Sequence, residues 1–207
     1  MCLRALLERR PQRHEAVARL RQAGYRQLDA GALSWIFARP GDQLILKLFS
    51  GEDIGYRTFL KITQMYPSIH WPRFRGQPIQ VWPPPNTTRQ GNQPAYWAIR
   101  MEFLESRSLE DEHFQRATTV ISRLQYGYRP EEVRPIYPSF FDAVSVLRRA
   151  LPAFKDTVDL DLHAGNYMFR RDGTPVIIDP YYTDGADSQQ WIPNVKDLEM
   201  VDVRPAA

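Results

Sequence analysis

The sequence predicts an α+β fold in which an antiparallel sheet with one helix is followed by helices and a short β-hairpin. Three observations predict it. Two β-rich runs flank Arg39-Pro40-Gly41-Asp42, a composition typical of a hairpin turn. Apolar residues then recur at helical spacing over 114–124 and again over 140–151. Later, Asp172-Gly173 lies between two short apolar runs, which indicates a second, tight hairpin.

The first half of the chain is predicted to form the sheet. Two helices are expected over 13–23 and about 53–65, the second ending before Pro67 because the residue preceding a proline disfavours helical dihedrals. The predicted strands are 28–38, 43–49, 74–81 and 95–103. A Pro-rich run over 83–88 is predicted to be an exposed loop between two of these strands.

The second half is predicted to be mainly helical. Ser108, with Asp111 three residues later, resembles a capping box at the start of a helix, and Gly127 is a suitable residue to end it. The hairpin strands are expected at 167–170 and 175–178. The apolar stripes of the helices are interpreted as core, without a chemical role.

Composition excludes several classes of protein. With 43% hydrophobic residues in 207, the chain is typical of a globular protein, and no apolar run approaches the roughly 20 residues that a membrane helix needs. Its only cysteine, Cys2, rules out an internal disulfide framework and a Cys-rich metal site. We therefore expect a cytoplasmic protein with no membrane partner.

Basic residues are unevenly distributed. Residues 1–26 contain seven arginines and two glutamates, and residues 54–101 contain no acidic residue. Such stretches can bind nucleic acid, or they can be a solvated helix face together with a surface that faces polyphosphate. No nucleic-acid-binding motif accompanies the charge, so the second interpretation is preferred and no nucleic-acid partner is predicted.

Three oxygen-bearing side chains are predicted to converge at the second hairpin. Asp161 precedes Asn166 by five residues on a loop that leads into the first strand, and Asp179 ends the second strand. Mg²⁺ favours such oxygen ligands together with substrate phosphates. Taken singly, Asp179 could cap a turn and Asn166 could be a loop former. Their joint spacing favours a metal site, with Asp161 left to orient an attacking hydroxyl.

These motifs resemble the protein-kinase-like superfamily. Asp161-x-x-x-x-Asn166, followed by an apolar strand and Asp179, is similar to the catalytic loop and metal-binding aspartate of these enzymes. Leu44-Ile45-Leu46-Lys47 resembles the strand whose lysine pairs with ATP phosphates. Leu28–Ser34, which contains Gly31, stands where the nucleotide-covering loop belongs. Ile99–Leu104 is similar to the hinge that binds adenine through its backbone.

The resemblance covers roughly residues 24–182 and extends to one particular group. Residues 161–169 and 175–180 look most like the early serine/threonine protein kinase of short-tailed (podovirus) bacteriophages. It implies a minimal bilobal fold, with a nucleotide-binding lobe over 1–103 and a reduced helical lobe over 104–207 that carries the catalytic hairpin. It also implies a serine/threonine kinase acting on host bacterial proteins in the host cytoplasm.

The resemblance implies a role for each site residue, with ATP and Mg²⁺ as cofactors bound in the cleft between the lobes. Asp161 would orient the acceptor hydroxyl, and His163 would contact the γ-phosphate. Other residues would bind the adenine and the phosphates of ATP and would hold the metal. Those predicted to bind ATP are Gly31, Lys47, Glu52, Met101, Glu102 and Leu104, and those predicted to hold the metal are Asn166 and Asp179.

Departures from the family pattern leave alternatives open. The nucleotide loop has one glycine, Gly31, where many protein kinases have three. Only Glu52 or Asp53 could pair locally with Lys47, and both could instead favour the helix N-terminus. His163 stands where serine/threonine kinases commonly have lysine and small-molecule phosphotransferases often have histidine. A sugar- or antibiotic-type kinase is therefore the second hypothesis, and a catalytically inactive binding module is the third.

Overall fold

The computed structural model describes residues 11–82, 95–153 and 158–182, with backbone only for 11–14. These residues form two compact units. Of the described residues, the first unit comprises 11–53, 73–82 and 95–103, and the second comprises 54–72, 104–153 and 158–182. Cys2 and the predicted loop over 83–88 lie outside the described residues.

A five-stranded antiparallel sheet forms most of the first unit, in the order β1-β2-β3-β5-β4. Its strands are β1 (Arg26–Ala30), β2 (Ser34–Ala38), β3 (Leu44–Ser50), β4 (Phe74–Trp82) and β5 (Tyr96–Glu102). The prediction of one strand over 28–38 was wrong. A turn divides it, because the N–H of Gly31 donates to the carbonyl of Ser34 at 2.8 Å. A local hydrogen bond of this kind leaves no trace in apolar periodicity.

The turn predicted at 39–42 is confirmed. The N–H of Asp42 donates to the carbonyl of Arg39 at 3.0 Å, which closes a four-residue turn between β2 and β3. Gly41 has φ +79°, a value that L residues with side chains rarely adopt. Pro40 before a left-handed Gly41 is the type II arrangement, so the turn chemistry in the sequence specifies this connection.

Helix α1 (Pro11–Gln22) covers one face of the sheet. Ala16 and Leu20 of this helix pack on a buried cluster from three strands. The sheet members of the cluster are Trp35, Phe37, Leu46, Leu48, Tyr96 and Ala98. Burial of each large side chain of this kind contributes roughly 1.5–3 kcal/mol. Because side chains alternate along a strand, the odd-numbered residues of β3, Lys47 among them, lie on the opposite face.

Among the residues that the structure describes, the α-helices of the second unit are α2 (Ile54–Met65), α3 (Glu112–Gln125), α4 (Pro130–Val133) and α5 (Pro138–Ala150). The capping box predicted at Ser108 was wrong, and α3 begins after Asp111 instead. The Asp111 carboxylate accepts from the N–H groups of His113 and Phe114 and pairs with Arg107 at 2.7 Å, so it holds the N-cap position itself. These contacts lower the pKa of Asp111, the hydrogen bond from Arg107 most of all.

The helix stop predicted at Gly127 is confirmed. Gly127 has φ +78°, and its N–H donates to the carbonyl of Leu124 at 3.4 Å. The N–H of Tyr128 donates to the carbonyl of Arg123 at 3.0 Å, which completes a Schellman motif. The carbonyls at the end of α3 are therefore satisfied within the turn that ends the helix.

Two short sheets complete the second unit. β6 (Asp159–Leu160) pairs with β9 (Tyr181–Tyr182), and β7 (Tyr167–Phe169) pairs with β8 (Pro175–Ile177). The predicted hairpin is thus confirmed, and Gly173 forms its turn with φ +86°. The α+β class predicted from the sequence is confirmed as well, with an antiparallel N-terminal sheet and helices after it.

Helix α2 packs closely against β9 within the second unit. A Cβ at Gly55 would lie 2.7 Å from the carbonyl oxygen of Tyr181, so only glycine fits this backbone approach. The sequence predicts this helix in the lobe over 1–103, and the lobe boundaries stay a prediction. Within the described ranges, no helix is long and apolar enough to cross a membrane.

Candidate active site

Backbone hydrogen bonds bring Asp161, Asn166 and Asp179 to one end of the β7–β8 hairpin. The N–H of Asp161 donates to the carbonyl of Pro180 at 2.7 Å, directly after the β6–β9 pair. The N–H of Ile178 donates to the carbonyl of Asn166 at 2.9 Å, directly beyond the β7–β8 pair. Asp179 lies between Ile178 and Pro180, so the backbone places the three residues that the sequence singled out close to one another.

The side chain of Asn166 is oriented by Asp161. Its Nδ2 donates to the backbone carbonyl of Asp161 at 2.6 Å and to the Asp161 carboxylate oxygen Oδ2 at 3.0 Å. Both amide hydrogens are therefore used on the same residue. The amide oxygen Oδ1 of Asn166 is left as the atom of this side chain that can bind a cation.

The ligand set fits a magnesium ion that is bound mainly through phosphates. Among the residues that the structure describes, no group of three or more His, Cys, Asp and Glu side chains could hold a metal ion. Asp179 and the Asn166 amide oxygen would supply two protein ligands at most. Mg²⁺ usually takes one or two carboxylates and fills its shell with water and substrate phosphates. The site suits a metal that arrives with a nucleotide.

The imidazole of His163 lies beside Asp161. Its Nε2 is 3.6 Å from Oδ1 of Asp161, and its Nδ1 accepts from the N–H of Gly165 at 3.0 Å. The second contact makes His163 the N-cap of the short 3₁₀ helix over 164–166, which carries Asn166. The exposed ring of His163 thus caps the 3₁₀ helix and lies near the carboxylate that was predicted to orient the acceptor.

Lys47 is buried in β3. It pairs in register with Ile36 of β2 and Ile99 of β5, and only 4% of its surface is exposed. Lysine is almost never buried to this degree unless an anionic or carbonyl group accompanies it. Its side chain lies on the face of the sheet opposite α1.

Of the remaining predicted nucleotide contacts, Gly31, Glu52, Met101 and Glu102 belong to the first unit and Leu104 belongs to the second. Gly31 forms the β1–β2 turn, and a Cβ there would make an ordinary 3.6 Å contact with Ser34, so space alone does not require glycine. Glu52 follows β3 and donates its N–H to the Ser50 hydroxyl at 3.2 Å. Its half-buried carboxylate and the buried Asp53 both come directly before α2.

Met101 and Glu102 end β5, and buried Leu104 follows them. The N–H of Glu102 donates to the carbonyl of Arg73 at 3.1 Å, and its carboxylate accepts the Arg73 N–H at 2.9 Å. A backbone contact from Glu102 to a ligand would therefore use its carbonyl oxygen.

Three residues that the sequence analysis did not consider hold the site in place. Gln125, the last residue of α3, donates its side-chain amide to the carbonyl of Leu162 at 2.9 Å, next to Asp161. Arg170 and His70 connect the hairpin to the segment that follows α2. No local sequence signal marks them, because their partners are 37 to 105 residues away in the chain.

The segment 69–71 is bonded to the hairpin along three consecutive carbonyls. The Arg170 guanidinium donates to the carbonyls of Ile69 and Trp71, and the N–H of Ile177 donates to the carbonyl of His70 at 2.9 Å. Arg170 is 9% exposed, so these bonds are made away from water. They fix β8, and with it the backbone that leads to Asp179.

His70 is fully buried between the hairpin and α5. Its Nδ1 lies 2.7 Å from the carbonyl of Pro175 and therefore donates, while its Nε2 lies 2.9 Å from the Ser139 hydroxyl. Burial lowers the pKa of His70; the hydrogen bond to Pro175 opposes this and the Arg170 charge adds to it. The ring is neutral in this environment.

Two surface cavities, of about 490 and 820 Å³, lie along α3 and between the C-terminal end of α3 and α5. Neither is lined by Asp161, Asn166 or Asp179. We assign no role to them.

The chain is similar to known proteins in structure, and no similarity was found in sequence comparisons. No protein-family model and no curated protein matches the chain. Among solved structures it is similar to the Cydia pomonella granulovirus kinase PK-1, at 11% identity and a TM-score of 0.36, over 83% of this chain and 60% of that one. It is also similar to the amicoumacin kinase hAmiN, solved with AMP-PNP, Ca²⁺ and Ami, at 16% identity and a TM-score of 0.35, over 81% and 65%.

The chain spans about 60–65% of the length of these two structures. The function proposed below rests on the geometry of the site and not on these likenesses.

Proposed function

We propose that the chain is an ATP-dependent phosphotransferase. The observation that carries the proposal is that Asp161, Asn166 and Asp179 lie at one end of the hairpin. Asn166 donates both amide hydrogens to Asp161, so its amide oxygen can bind a cation. A carboxylate beside two cation ligands meets the two needs of phosphoryl transfer, which are to orient a hydroxyl and to neutralise phosphate charge.

In the proposed reaction the acceptor oxygen forms a bond to the γ-phosphorus, and the bond from that phosphorus to the β,γ-bridging oxygen breaks, releasing ADP. Asp161 orients the acceptor hydroxyl and accepts its proton. Asp179 and Asn166 hold Mg²⁺, which neutralises charge on the phosphates when bound. Lys47 binds the phosphates, and Met101, Glu102 and Leu104 bind the adenine.

The acceptor that we propose is a serine or threonine hydroxyl of a bacterial protein. The motif resemblance of residues 161–169 and 175–180 to phage serine/threonine kinases supports this choice. A small-molecule acceptor is the second candidate, and His163 favours it, because an imidazole stands where protein kinases commonly place a lysine.

One experiment separates the acceptor classes. The purified protein is incubated with Mg²⁺ and γ-labelled ATP in a bacterial lysate, with Asp161→Ala as the inactive control. A protein kinase transfers label to acid-stable phosphoproteins, whereas a small-molecule kinase transfers it to solutes that pass an ultrafiltration membrane. If the wild-type protein transfers label from ATP no faster than Asp161→Ala does, both acceptor classes are contradicted.

A further inference from the structure

The tautomer of His163 follows from its contact with Gly165. A backbone N–H can only donate, and the N–H of Gly165 points at Nδ1 of the ring from 3.0 Å. Nδ1 must therefore be unprotonated, and in the neutral ring the hydrogen is on Nε2. That hydrogen is on the nitrogen nearest the carboxylate, 3.6 Å from Oδ1 of Asp161, which is slightly longer than a hydrogen bond and within range of an electrostatic attraction.

Gly165 provides the space that the ring occupies. A Cβ at residue 165 would lie 2.8 Å from Cε1 and 3.1 Å from Nδ1 of His163. Gly165 is absent from the glycines with positive φ among the described residues, so its backbone would accept another residue type. A side chain at residue 165 would instead displace the imidazole of His163 from its place beside the loop.

One hydrogen-bond donor and one nearby ring nitrogen therefore flank the Asp161 carboxylate. Nδ2 of Asn166 donates to Oδ2 at 3.0 Å, and Nε2 of His163 faces Oδ1. The backbone of Asp161 is held by its hydrogen bond to Pro180, so its carboxylate can move only by side-chain rotation. The neighbouring side chains restrict that rotation. A catalytic carboxylate must be held close to its productive orientation to place a hydroxyl for reaction.

We propose that His163 is a positioning residue that orients Asp161 through its Nε2–H, and that Gly165 is required to keep the imidazole there. The inference rests on the proposed function, in which Asp161 orients the acceptor hydroxyl. It assigns the ring to the carboxylate and not to the γ-phosphate, because Nε2 lies 3.6 Å from Oδ1 of Asp161.

Three variants separate this role from the capping of the 3₁₀ helix. His163→Asn keeps a side-chain oxygen that can accept the Gly165 N–H, since asparagine is a good N-cap, but its shorter side chain removes the donor near Asp161. His163→Ala removes both contacts. Gly165→Ala leaves both chemical groups in the chain and displaces the ring.

The first measurement does not depend on turnover. Nitrogen-15 NMR of the histidine rings, assigned by comparison with His163→Asn, should show His163 as the Nε2–H tautomer. Its Nε2 signal should shift in Asp161→Asn, because the facing charge is removed. An Nδ1–H tautomer, or a signal unchanged by Asp161→Asn, would overturn the contact whatever the activity of the protein.

The second measurement is the phosphoryl-transfer rate with the acceptor pool defined above. We expect kcat to fall about 10- to 100-fold in all three variants, as for residues that orient a catalytic group, with the KM for ATP unchanged. Circular dichroism checks that each variant is folded, and His163→Asn keeps the test valid if the alanine variants are not folded.

A wild-type kcat in His163→Asn would show that capping of the 3₁₀ helix is the only role of His163. No transfer by the wild-type protein would end the proposed function, while the NMR result would still decide the contact.

Discussion

At the scale of single residues, the hydrogen bonds of Asn166 to Asp161 determine which atom of the Asn166 side chain can bind a cation. Its two amide hydrogens are held by Asp161, so its oxygen is turned away from that residue and the loop needs no metal to keep its shape. A site that is formed before its ligand arrives loses less conformational entropy on binding. The loop 161–166 is therefore pre-organised by its own hydrogen bonds.

Lys47→Met tests the buried lysine. Methionine keeps the length and apolar stem, and removes the charge that we propose binds ATP phosphates. Loss of one charge-assisted contact should weaken binding by about 1.5–3 kcal/mol, or roughly 10- to 150-fold in Kd for an ATP analogue. Isothermal titration calorimetry measures this, and Lys61→Met on α2 is the matched control. Equal Kd values in the wild-type protein and Lys47→Met would remove Lys47 from the site.

His70 should make stability depend on pH. Burial lowers its pKa below the ordinary 6.5, so below pH 6.5 the unfolded chain binds a proton that the folded chain does not. The unfolding free energy should therefore be unaffected above pH 6.5 and fall below it, by at most about 1.4 kcal/mol per pH unit.

Urea unfolding at a series of pH values measures this dependence. His70→Gln, which cannot titrate, should flatten the curve between pH 6.5 and 5. The same slope in both proteins would show that another group is responsible.

At the scale of elements, the hairpin is positioned by parts of the chain that are far from it in sequence. The carbonyls of residues 69–71 are bonded by Arg170 and Ile177, and the Tyr181 hydroxyl donates to the carbonyl of Leu147 at 2.8 Å. Burial raises the pKa of Tyr181 far above its usual range, so this donor keeps its hydrogen. Short strands such as β8 and β9 have little stability of their own and depend on these bonds.

Arg170→Met should destabilise this anchor. The substitution keeps an apolar stem but leaves the carbonyls of Ile69 and Trp71 without their donors, at a cost of about 3 kcal/mol of unfolding free energy. Chemical denaturation measures it. Arg171→Met is the control, because the neighbouring arginine is 91% exposed and should change stability by less than about 0.5 kcal/mol. Similar losses in both variants would contradict the anchoring role.

The sequence predicted elements well where local chemistry decides them. The turns at Gly41 and Gly173 and the helix end at Gly127 follow from residues within a few positions of one another. The break of the strand over 28–38 and the N-cap at Asp111 were missed, because each depends on one hydrogen-bond choice among several local possibilities. Gln125 and Arg170 could not be found, since long-range partners leave no pattern in a single sequence.

At the scale of the whole molecule, the α+β class was predictable and the grouping of α2 was not. Alternating and helical periodicities specify element types along the chain. The place of α2 in the second unit depends on Gly55 against Tyr181 and on the bonded segment 69–71, which are tertiary contacts. The closeness of Asp161, Asn166 and Asp179 could be predicted because the three residues flank one hairpin, whose geometry the sequence does specify.

The central claim is that the end of this hairpin transfers the γ-phosphoryl group of ATP with the help of a divalent metal. Phosphorus NMR of ATP, Mg²⁺, the purified protein and a bacterial extract tests it most directly. We predict that the γ-phosphate signal is replaced by a phosphomonoester signal, at least about 100-fold more slowly with Asp179→Asn. Asp172→Asn, the same change at the opposite end of the hairpin, should match the wild-type rate. Unchanged ATP with the wild-type protein, or equal rates in all three proteins, would contradict the claim.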